Sequence, residues 1–333
     1  MRGDQMIRIG SEAISLDRIE SGSTADFISH AHSDHISAAR RSKKPIMSEQ
    51  TRQLLGAIGV RVIEEKSADY IELLPAGHIL GSRQLYAYDQ DSGISYLYSG
   101  DFQMQKSMAA EKIKTKHADV LIIDSTYPDP QVSFGYKEDI ISSIEDWVAE
   151  SLKKGSVLFS AYAMGKAQEL IAIMNDVGIV PVVTKKIGAI SKAYNECGMH
   201  LKYASAYEGD EYEELLKGDF VGISEQRNIN ELASKLAKVH KRSFYTAVVT
   251  GFASFMKFNT DAQFSLSDHA DFAQSIDYIN EVNPKLILTY GGNAKRFATN
   301  LGKLNYKAVS FCEMAMIVEK AAIQQRKTKE YIY

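Results

Sequence analysis

The sequence predicts an α/β protein built of two bodies, in which a parallel α/β domain is inserted into a sheet-rich body. In the first part of the 333-residue chain, short apolar runs are separated by Ser and Gly turns, a pattern that indicates strands. In the middle, strands alternate with amphipathic helices, which is typical of βαβ units and a parallel sheet. We therefore assign residues 1–129 and 263–333 to the sheet-rich body and residues 130–262 to the insertion.

The strands of the sheet-rich body are indicated by apolar runs bounded by turn residues. In chain order these runs are IRIG, AISLD, ADFIS, YIELLP, RQLYAYD, ISYLY and VLIID. One segment among them, SEQTRQLLGAIG, has helical periodicity instead. The body closes with the helix DFAQSIDYINEVNP, the strand KLILTY and the helix NAKRFATNLGKLN.

The insertion begins with a long amphipathic helix, KEDIISSIEDWVAESLKKG, which ends at a glycine. The next segment, GSVLFSAYAMGKAQELIAIMNDVG, predicts a strand, a tight turn and a helix. IVPVV, FVGIS and FYTAVVT predict further strands, and a helix over NINELASKLAKVH separates the last two. This alternation predicts a parallel sheet covered by helices.

Composition indicates an ordinary globular chain. Hydrophobic residues make up 45%, charged residues 24%, and the formal net charge is −3. No apolar run is long enough for a transmembrane helix, and the N-terminus lacks the apolar core of a signal peptide. Two cysteines exclude a disulfide framework and a cysteine-rich zinc site. We expect a cytoplasmic protein with no membrane partner. The net charge argues only weakly against nucleic acid, because a local basic groove suffices.

A dense group of candidate metal ligands follows the strand ADFIS. Three of the eight histidines, His30, His32 and His35, lie in the segment HAHSDH together with Asp34. Neutral imidazole and carboxylate are good ligands for zinc and similar divalent ions. A polar turn is the alternative interpretation, but a turn does not need imidazole. The segment therefore predicts a metal site at the end of a strand.

The remaining ligands are expected at other strand ends. His78 follows the run YIELLP and lies between Gly77 and Gly81, which permit close approach of the backbone. Asp101 follows the strand ISYLY and a glycine. A lone histidine after a strand is usually structural, but the position downstream of the cluster favours metal binding by both residues.

This order of motifs resembles a known superfamily. His-x-His-x-Asp-His, then Gly-His, then Gly-Asp after a strand are similar to the metallo-β-lactamase fold. GHILGS, IIDSTY, VLFSAYAMGKAQEL and SLSDHADF are similar to its β-CASP branch, which includes RNase J, Artemis and the endonuclease of pre-mRNA 3′-end cleavage. The resemblance covers residues 14–297 and implies an αββα sandwich with an inserted β-CASP domain.

The resemblance implies roles for individual residues. Asp17 matches an aspartate that orients ligands, and Asp124 and His269 match the acidic and second motifs of the family. The third motif, usually a histidine, falls on Tyr290, and a phenol is a poor metal ligand at neutral pH. We therefore expect one firm Zn²⁺ site and a weaker second one, with Mn²⁺ as an alternative metal. The firm site comprises His30, His32, His78 and bridging Asp101, and the weaker one Asp34, His35 and Asp101.

In the mechanism that the resemblance implies, bound metal activates a water molecule that attacks a phosphodiester. Asp34 belongs to the expected catalytic set. His269 is the expected general acid or phosphate contact, and Asp124 is expected to hold it in the protonated form.

Basic residues are candidate phosphate contacts. The turn SAYAMGKAQ places Lys166 and backbone amides at a helix start, with plain helix–sheet packing as the alternative. Lys185 and Lys186, and the basic residues between Arg40 and Lys44, are candidates for following a polynucleotide backbone. Solvated surface is the alternative for these residues.

We expect a nuclease that acts on RNA or single-stranded DNA from an end of the strand. Asp124 and Tyr290 match DNA-cutting relatives of the Artemis type, whereas DSTYP and AMGKAQEL resemble short RNA-processing exonucleases. Two other functions stay open. One is a hydrolase of a thioester or lactam. The other is a non-catalytic partner subunit of an RNA-processing complex, an interpretation that Tyr290 in place of a histidine suggests. Several relatives pair, so a homodimer is an expected form.

Overall fold

The computed structural model describes residues 5–62, 70–206 and 208–313. The strands in these ranges form three sheets. The first sheet contains β1 (Met6–Ile9), β2 (Glu12–Leu16), β3 (Ala25–Phe27) and β4 (Pro45–Ile46). The second contains β5 (Ile71–Pro75), β6 (Arg83–Asp89), β7 (Ile94–Tyr98), β8 (Val120–Asp124), β15 (Leu286–Tyr290) and β16 (Ala308–Ser310). The third contains β9 (Ser156–Ser160), β10 (Val182–Val183), β11 (Ala204–Ser205), β12 (Val221–Ser224), β13 (Phe244–Val249) and β14 (Ala262–Phe264).

The helices in the described ranges surround these sheets. They are α1 (Ile36–Arg41), α2 (Glu49–Ala57), α3 (Lys137–Leu152), α4 (Lys166–Asp176), α5 (Lys185–Glu196), α6 (Gly209–Leu215), α7 (Ile229–His240), α8 (Phe272–Val282) and α9 (Ala294–Lys303). Side-chain caps mark four of the helix starts described, where the side chains of Ser48, Thr184, Asn228 and Asp271 accept hydrogen bonds from backbone amides of α2, α5, α7 and α8. None of the helices described is long and apolar enough to cross a membrane.

The first two sheets pack face to face. Successive residues of a strand point to opposite faces, and β8 shows this: Ile122 joins the core shared with Phe27 of the first sheet, whereas Leu121 faces the other way. On that opposite face, Tyr278 of α8 and Phe297 of α9 cover the second sheet. The second sheet has the order β16-β15-β8-β7-β6-β5, with β5, β6 and β7 antiparallel and the other pairs parallel.

The third sheet is wholly parallel, in the order β11-β10-β12-β9-β13-β14. Four of the five residues of β9 are buried, as expected for a strand covered on both faces of its sheet. The last strand ends at Phe264, two residues beyond the boundary that the sequence predicts for the insertion. Leu54 and Leu55 of α2 share a core with Leu170 of α4 and Ile190 of α5, which joins the insertion to the sheet-rich body. The predicted fold class, a two-sheet sandwich with an inserted parallel α/β domain, is confirmed.

Candidate metal centre

Strand ends bring the predicted ligands to one edge of the two packed sheets. The HAHSDH segment follows β3, His78 follows β5 and Asp101 follows β7. The turn before His78 is tight, because Gly77 has φ of +78° and a Cβ there would lie 2.2 Å from the carbonyl oxygen of Gln103. Only glycine fits such a position. The glycine beside His78 is therefore explained by close packing, as the sequence predicts.

The Asp101 carboxylate lies at the centre of the histidines. Its Oδ2 is 3.5 Å from Nε2 of His30 and of His35, 3.9 Å from Nε2 of His78 and 4.0 Å from Nε2 of His269. Ligands around a tetrahedral zinc ion are roughly 3.3 Å apart, because each lies near 2 Å from the metal. The spacing therefore suits a cation among these groups, and Asp101 would be a ligand in more than one of them.

Three groups of potential ligands share Asp101. Within each group the ligand atoms lie within 4.8 Å of one another. The groups are His30, His32 and His78 with Asp101; Asp34 and His35 with Asp101; and Asp124 and His269 with Asp101.

The tautomers of His32 and His78 test whether a cation fits the first group. Nδ1 of His78 donates to the Asp268 carbonyl oxygen at 2.7 Å, and Nε2 of His32 donates to the Met164 carbonyl oxygen at 3.2 Å. The other ring nitrogens, Nε2 of His78 and Nδ1 of His32, therefore carry lone pairs, and they face each other at 3.0 Å. Two opposed lone pairs repel, whereas a bound cation satisfies both. The first group thus fits a metal ion.

His30 presents a third free lone pair to the same point. The Ser29 hydroxyl donates to Oδ2 of Asp17 at 2.7 Å, so it accepts from Nδ1 of His30 at 2.9 Å. Nε2 of His30 is then the unprotonated nitrogen, and it is buried without a hydrogen-bond partner. Asp17 also accepts from the Tyr98 hydroxyl at 2.7 Å and lies 3.0 Å from Nδ1 of His35. Asp17 therefore orients ligands of both groups through these contacts.

The second group is more open to solvent than the first. His35 is buried, and its Nε2 lies 3.5 Å from Oδ2 of Asp34, whose side chain is 75% exposed. Burial alone lowers the pKa of His35, but Asp17 and Asp101 outweigh it and raise that pKa well above its usual value. The exposed carboxylate leaves one side of this group accessible from the cleft.

His269 and Asp124 form a pair beside the metal ligands. Nδ1 of His269 lies 3.0 Å from Oδ2 of Asp124, and Oδ1 of Asp124 accepts from the amide and hydroxyl of Thr126. Burial lowers the pKa of His269, but the carboxylates of Asp101 and Asp124 more than offset this and raise it to about 9. The imidazole is therefore protonated at neutral pH in the absence of other charges.

Comparison with known proteins identifies relatives of this arrangement, although no family model matches the chain. A probable DNA ligase from Opitutus terrae is 26% identical over 306 residues, which cover 85% of this chain and 28% of that protein. The DNA cross-link repair protein SNM1 of Arabidopsis thaliana is 26% identical over 47% of this chain and 36% of that protein. An RNase J-like protein from Methanocaldococcus jannaschii is 31% identical over 30% of this chain and 24% of that protein.

The chain is similar to nucleases of the β-CASP branch of the metallo-β-lactamase superfamily. It spans only about a third or less of the length of the three relatives described. The resemblance that the sequence motifs carry is thus confirmed.

Tyr290, the residue on which the predicted third motif falls, is the last residue of β15. Its side chain is buried, with the hydroxyl 3.4 Å from Oδ1 of Asp101 and the ring 4.9 Å from that of Tyr98. Burial raises the pKa of Tyr290 well above its usual value. The phenol is therefore neutral here and acts as a hydrogen-bond donor toward the bridging carboxylate.

Lys166 is buried in an ion pair, with its Nζ 2.7 Å from Oδ1 of Asp268. Its charge is thus matched by a carboxylate, and its use as a phosphate contact stays a prediction. Asp268 links the inserted domain to the ligands, because its backbone carbonyl oxygen orients His78. Sequence motifs did not single out Asp268 or Met164. Asp268 lies next to His269 in SDHADF, but a backbone carbonyl leaves no signal in a sequence.

The candidate metal ligands line a cleft of about 620 Å³ that is bordered by both bodies of the chain. Arg18 and Lys186 line it from opposite bodies, and Tyr127, Tyr162 and Phe252 line it as aromatic side chains. Of the predicted basic contacts, Lys166 and Lys186 therefore line the cleft. The aromatic residues were not predicted, since no motif distinguishes them from core residues.

Proposed function

We propose that this protein is a metal-dependent phosphodiesterase that hydrolyses single-stranded nucleic acid, with Zn²⁺ as its metal and Mn²⁺ as an alternative. The observation that carries the proposal is the position of one buried carboxylate, Asp101, within 4.0 Å of ring nitrogens from four histidines. Two ligand groups that share a carboxylate suit hydrolysis of phosphate esters by paired metal ions.

The ligand groups have different parts in this proposal. His30, His32 and His78, with Asp101, would hold the firm ion, and Asp34 with His35 the weaker one. When bound, these cations activate water for attack and stabilise charge on the phosphate oxygens. The exposed Asp34 carboxylate leaves the second group open on the side from which a phosphate approaches.

His269 is the proton donor of the proposed reaction. Water loses a proton to solvent as it forms the new phosphorus–oxygen bond, the bond to the leaving oxygen breaks, and that oxygen takes a proton from Nε2 of His269, which solvent then restores. Asp124 occupies Nδ1, so only Nε2 faces the reacting phosphate. His269 thus connects the metal centre to the leaving group.

Among nucleic acids, we propose DNA as the substrate. The names of two relatives concern DNA, and the first of them aligns over 85% of this chain. Tyr290 in place of a histidine also matches the DNA-cutting type that the motifs indicate. RNA is the second candidate, which the RNase J-like relative favours.

The other functions that the sequence leaves open have less support. A thioester or lactam hydrolase does not need the inserted domain or the SDHADF motif. A non-catalytic partner subunit has no need to keep lone pairs of His30, His32 and His78 aimed at one point in the interior. A homodimer and a cytoplasmic location stay predictions.

The experiment compares matched strands and matched variants. Protein purified without chelators is analysed for bound metal and incubated with end-labelled single-stranded DNA and RNA of the same sequence. We expect degradation of DNA that is lost in His32→Ala and Asp34→Ala and kept in His200→Ala, which changes an exposed histidine of the insertion. Degradation of RNA alone favours the second candidate. Bound zinc without cleavage of either strand, even with added Mn²⁺, favours the partner subunit.

A further inference from the structure

We infer that three exposed aromatic residues beside the metal centre, Tyr162, Phe252 and Phe255, form a stacking surface for unpaired bases next to the scissile phosphate. We call these residues the aromatic rim. The inference rests on the proposed function, because it describes how the strand is held at that same centre. It requires no choice between DNA and RNA, since every base has a π face.

The aromatic rim lies where a parallel sheet usually binds its ligands. β9 and β13 are parallel neighbours, and Ser160 pairs with Val248 near their carboxyl ends. Tyr162 follows β9, and Phe252 follows β13, so both residues lie at the same edge of the third sheet. Clefts at the carboxyl ends of parallel strands are the common ligand sites of such sheets. Both residues line the cleft that contains His269.

The three rings of the aromatic rim are exposed to solvent, whereas aromatic rings usually stabilise a fold by being buried. The exposed fractions are 60% for Tyr162, 38% for Phe252 and 54% for Phe255. The rings of Phe252 and Phe255 are in edge contact, with centroids 5.8 Å apart and planes at 73°. A group of exposed apolar side chains beside a polar cleft indicates a binding surface. Each ring leaves a large part of its surface outside the core, and that part is free to contact a ligand.

A close-packed turn holds the rim in place. Phe252 lies in a 3-10 turn, Gly251–Ser254, in which the Thr250 side chain accepts from the Phe252 amide. A Cβ on Gly251 would lie 2.4 Å from the Tyr127 hydroxyl oxygen and 2.9 Å from Oγ of Ser267. The glycine thus allows the turn to lie directly on the segment that carries His269. A preorganised surface of this kind binds without the entropic cost of ordering it.

One buried ring separates the rim from the proposed proton donor. The Tyr127 ring is 6.1 Å from that of His269, 5.7 Å from that of Phe252 and 6.5 Å from that of Phe255. A phosphate at the metal centre therefore places the base of an adjoining nucleotide within reach of the rim. Paired bases hide their faces inside a duplex, so the surface selects unpaired strands.

The charges of the cleft fit the same ligand. Arg18 and Lys186 are exposed and line the cleft, and within the described ranges neither forms an ion pair with an acidic side chain. Cations that contact phosphates and rings that stack on bases are the combination found in proteins that bind single strands without reading their sequence. A polypeptide partner would not need the cations, and we therefore assign the rim to a polynucleotide.

The test measures binding separately from cleavage. A fluorescently labelled oligothymidylate with phosphorothioate linkages, which resist hydrolysis, is titrated with the full-length, metal-loaded protein. We expect the double variant Phe252→Leu/Phe255→Leu, which keeps apolar bulk but removes the π faces, to bind about ten-fold more weakly than wild type. Tyr88→Leu changes an exposed tyrosine of β6 that lines a different groove, and is the matched control. A strand with abasic residues is expected to lose a similar factor with wild type.

Two results would overturn the inference. The first is binding of the double variant within about two-fold of wild type, with thermal unfolding showing that both proteins are folded. The second is equal binding of the abasic and base-bearing strands by wild type. Cleavage of an unmodified strand is scored in parallel. Cleavage with unchanged binding by the double variant refutes the rim alone, whereas base-dependent binding without cleavage refutes the proposed function alone.

Discussion

At the scale of single residues, the protonation states of the histidines determine how stability depends on pH. Burial lowers the pKa of His30, of His32 and of His78, the last to about 3. The pKa values of His35 and His269 are instead raised by nearby carboxylates. The lowered pKa values of His30, His32 and His78 reduce the stability of the folded state when the pH falls below about 6.5, because the unfolded chain then binds protons that the folded chain does not. The raised pKa values of His35 and His269 stabilise the folded state, and this contribution is lost as the pH rises from about 6.5 toward 9.

We therefore predict that the metal-free protein is most stable near pH 6.5. The melting temperature of chelator-treated protein should fall by roughly 5 °C on moving to pH 5 or to pH 8.5. Thermal unfolding followed by circular dichroism across this range checks the prediction. A profile that stays flat between pH 5 and 8.5 would contradict it. His200→Ala, which changes an exposed histidine, should give the wild-type profile.

A second prediction at this scale concerns the pair of Asp124 and His269. The carboxylates of Asp101 and Asp124 raise the pKa of His269, and Asp124→Asn removes the second of these charges. We expect kcat on a single strand to fall about 100-fold, as for the loss of general acid catalysis. The alkaline limb of the pH–rate profile should also move to lower pH, because protonated imidazole is lost earlier. Bound metal should be unchanged. A fall in kcat with an unmoved alkaline limb would show that Asp124 has a merely structural part.

At the scale of secondary-structure elements, the start of α4 connects the insertion to the ligands. Lys166, the first residue of α4, pairs with Asp268 in the interior, and Asp268 in turn orients His78. We predict that Lys166→Met destabilises the protein by about 3–5 kcal/mol, because Asp268 is left buried and unpaired. Zinc affinity should fall with it. Urea unfolding and metal titration check both effects.

The double variant Lys166→Met/Asp268→Asn serves as the control for that prediction. It removes both charges, so most of the lost stability should return. If Lys166 instead binds phosphate, the single variant raises KM while the free energy of unfolding stays unchanged. That result would favour the phosphate contact that the turn SAYAMGKAQ predicts.

The elements themselves were predicted to different degrees. Long apolar runs such as VLIID and LILTY gave strands where expected, β8 and β15. The two-residue strands β4, β10 and β11 are too short for any alternation to appear, although IVPVV did indicate β10. α1 was missed, because it begins at Ile36 directly after the ligand segment and spans only six residues. α5 was also missed, since Lys185, Lys186 and Gly188 obscure its apolar stripe.

At the scale of the whole molecule, the sequence was enough to select the candidate metal ligands but not the groups that orient them. His30, His32 and His35 lie in one short segment, and local spacing is enough to select them. The contacts to Met164 of the insertion and to Asp268, which follows the insertion, join residues more than a hundred positions apart in the chain, and they exist only in the folded molecule. Backbone carbonyl groups have no residue type, so no motif can reveal them.

The contacts of His32 and His78 to Met164 and Asp268 also predict how the molecule responds to removal of the metal. Ligands come from three strand ends of the sheet-rich body, and His32 and His78 are in turn fixed by Met164 of the insertion and by Asp268 beside it. A bound ion stabilises the folded state in proportion to its affinity, by about 2.7 kcal/mol at a hundred-fold excess over its dissociation constant. We predict that a chelator lowers the melting temperature at pH 7 by on the order of 5 °C.

His32→Ala is the decisive variant for this prediction. It removes one ligand and the contact to Met164 together, so its melting temperature should already be lowered and should respond little to chelator. Limited proteolysis should also cut near Met164 sooner in the chelated wild-type protein than in the metal-loaded one, because the ion no longer fixes the ligand that Met164 contacts. An equal loss of melting temperature on chelation in wild type and His32→Ala would place the stabilising metal elsewhere. The joining of the two bodies would then rest on the apolar core around Leu54 and Leu170 and on the Lys166–Asp268 pair.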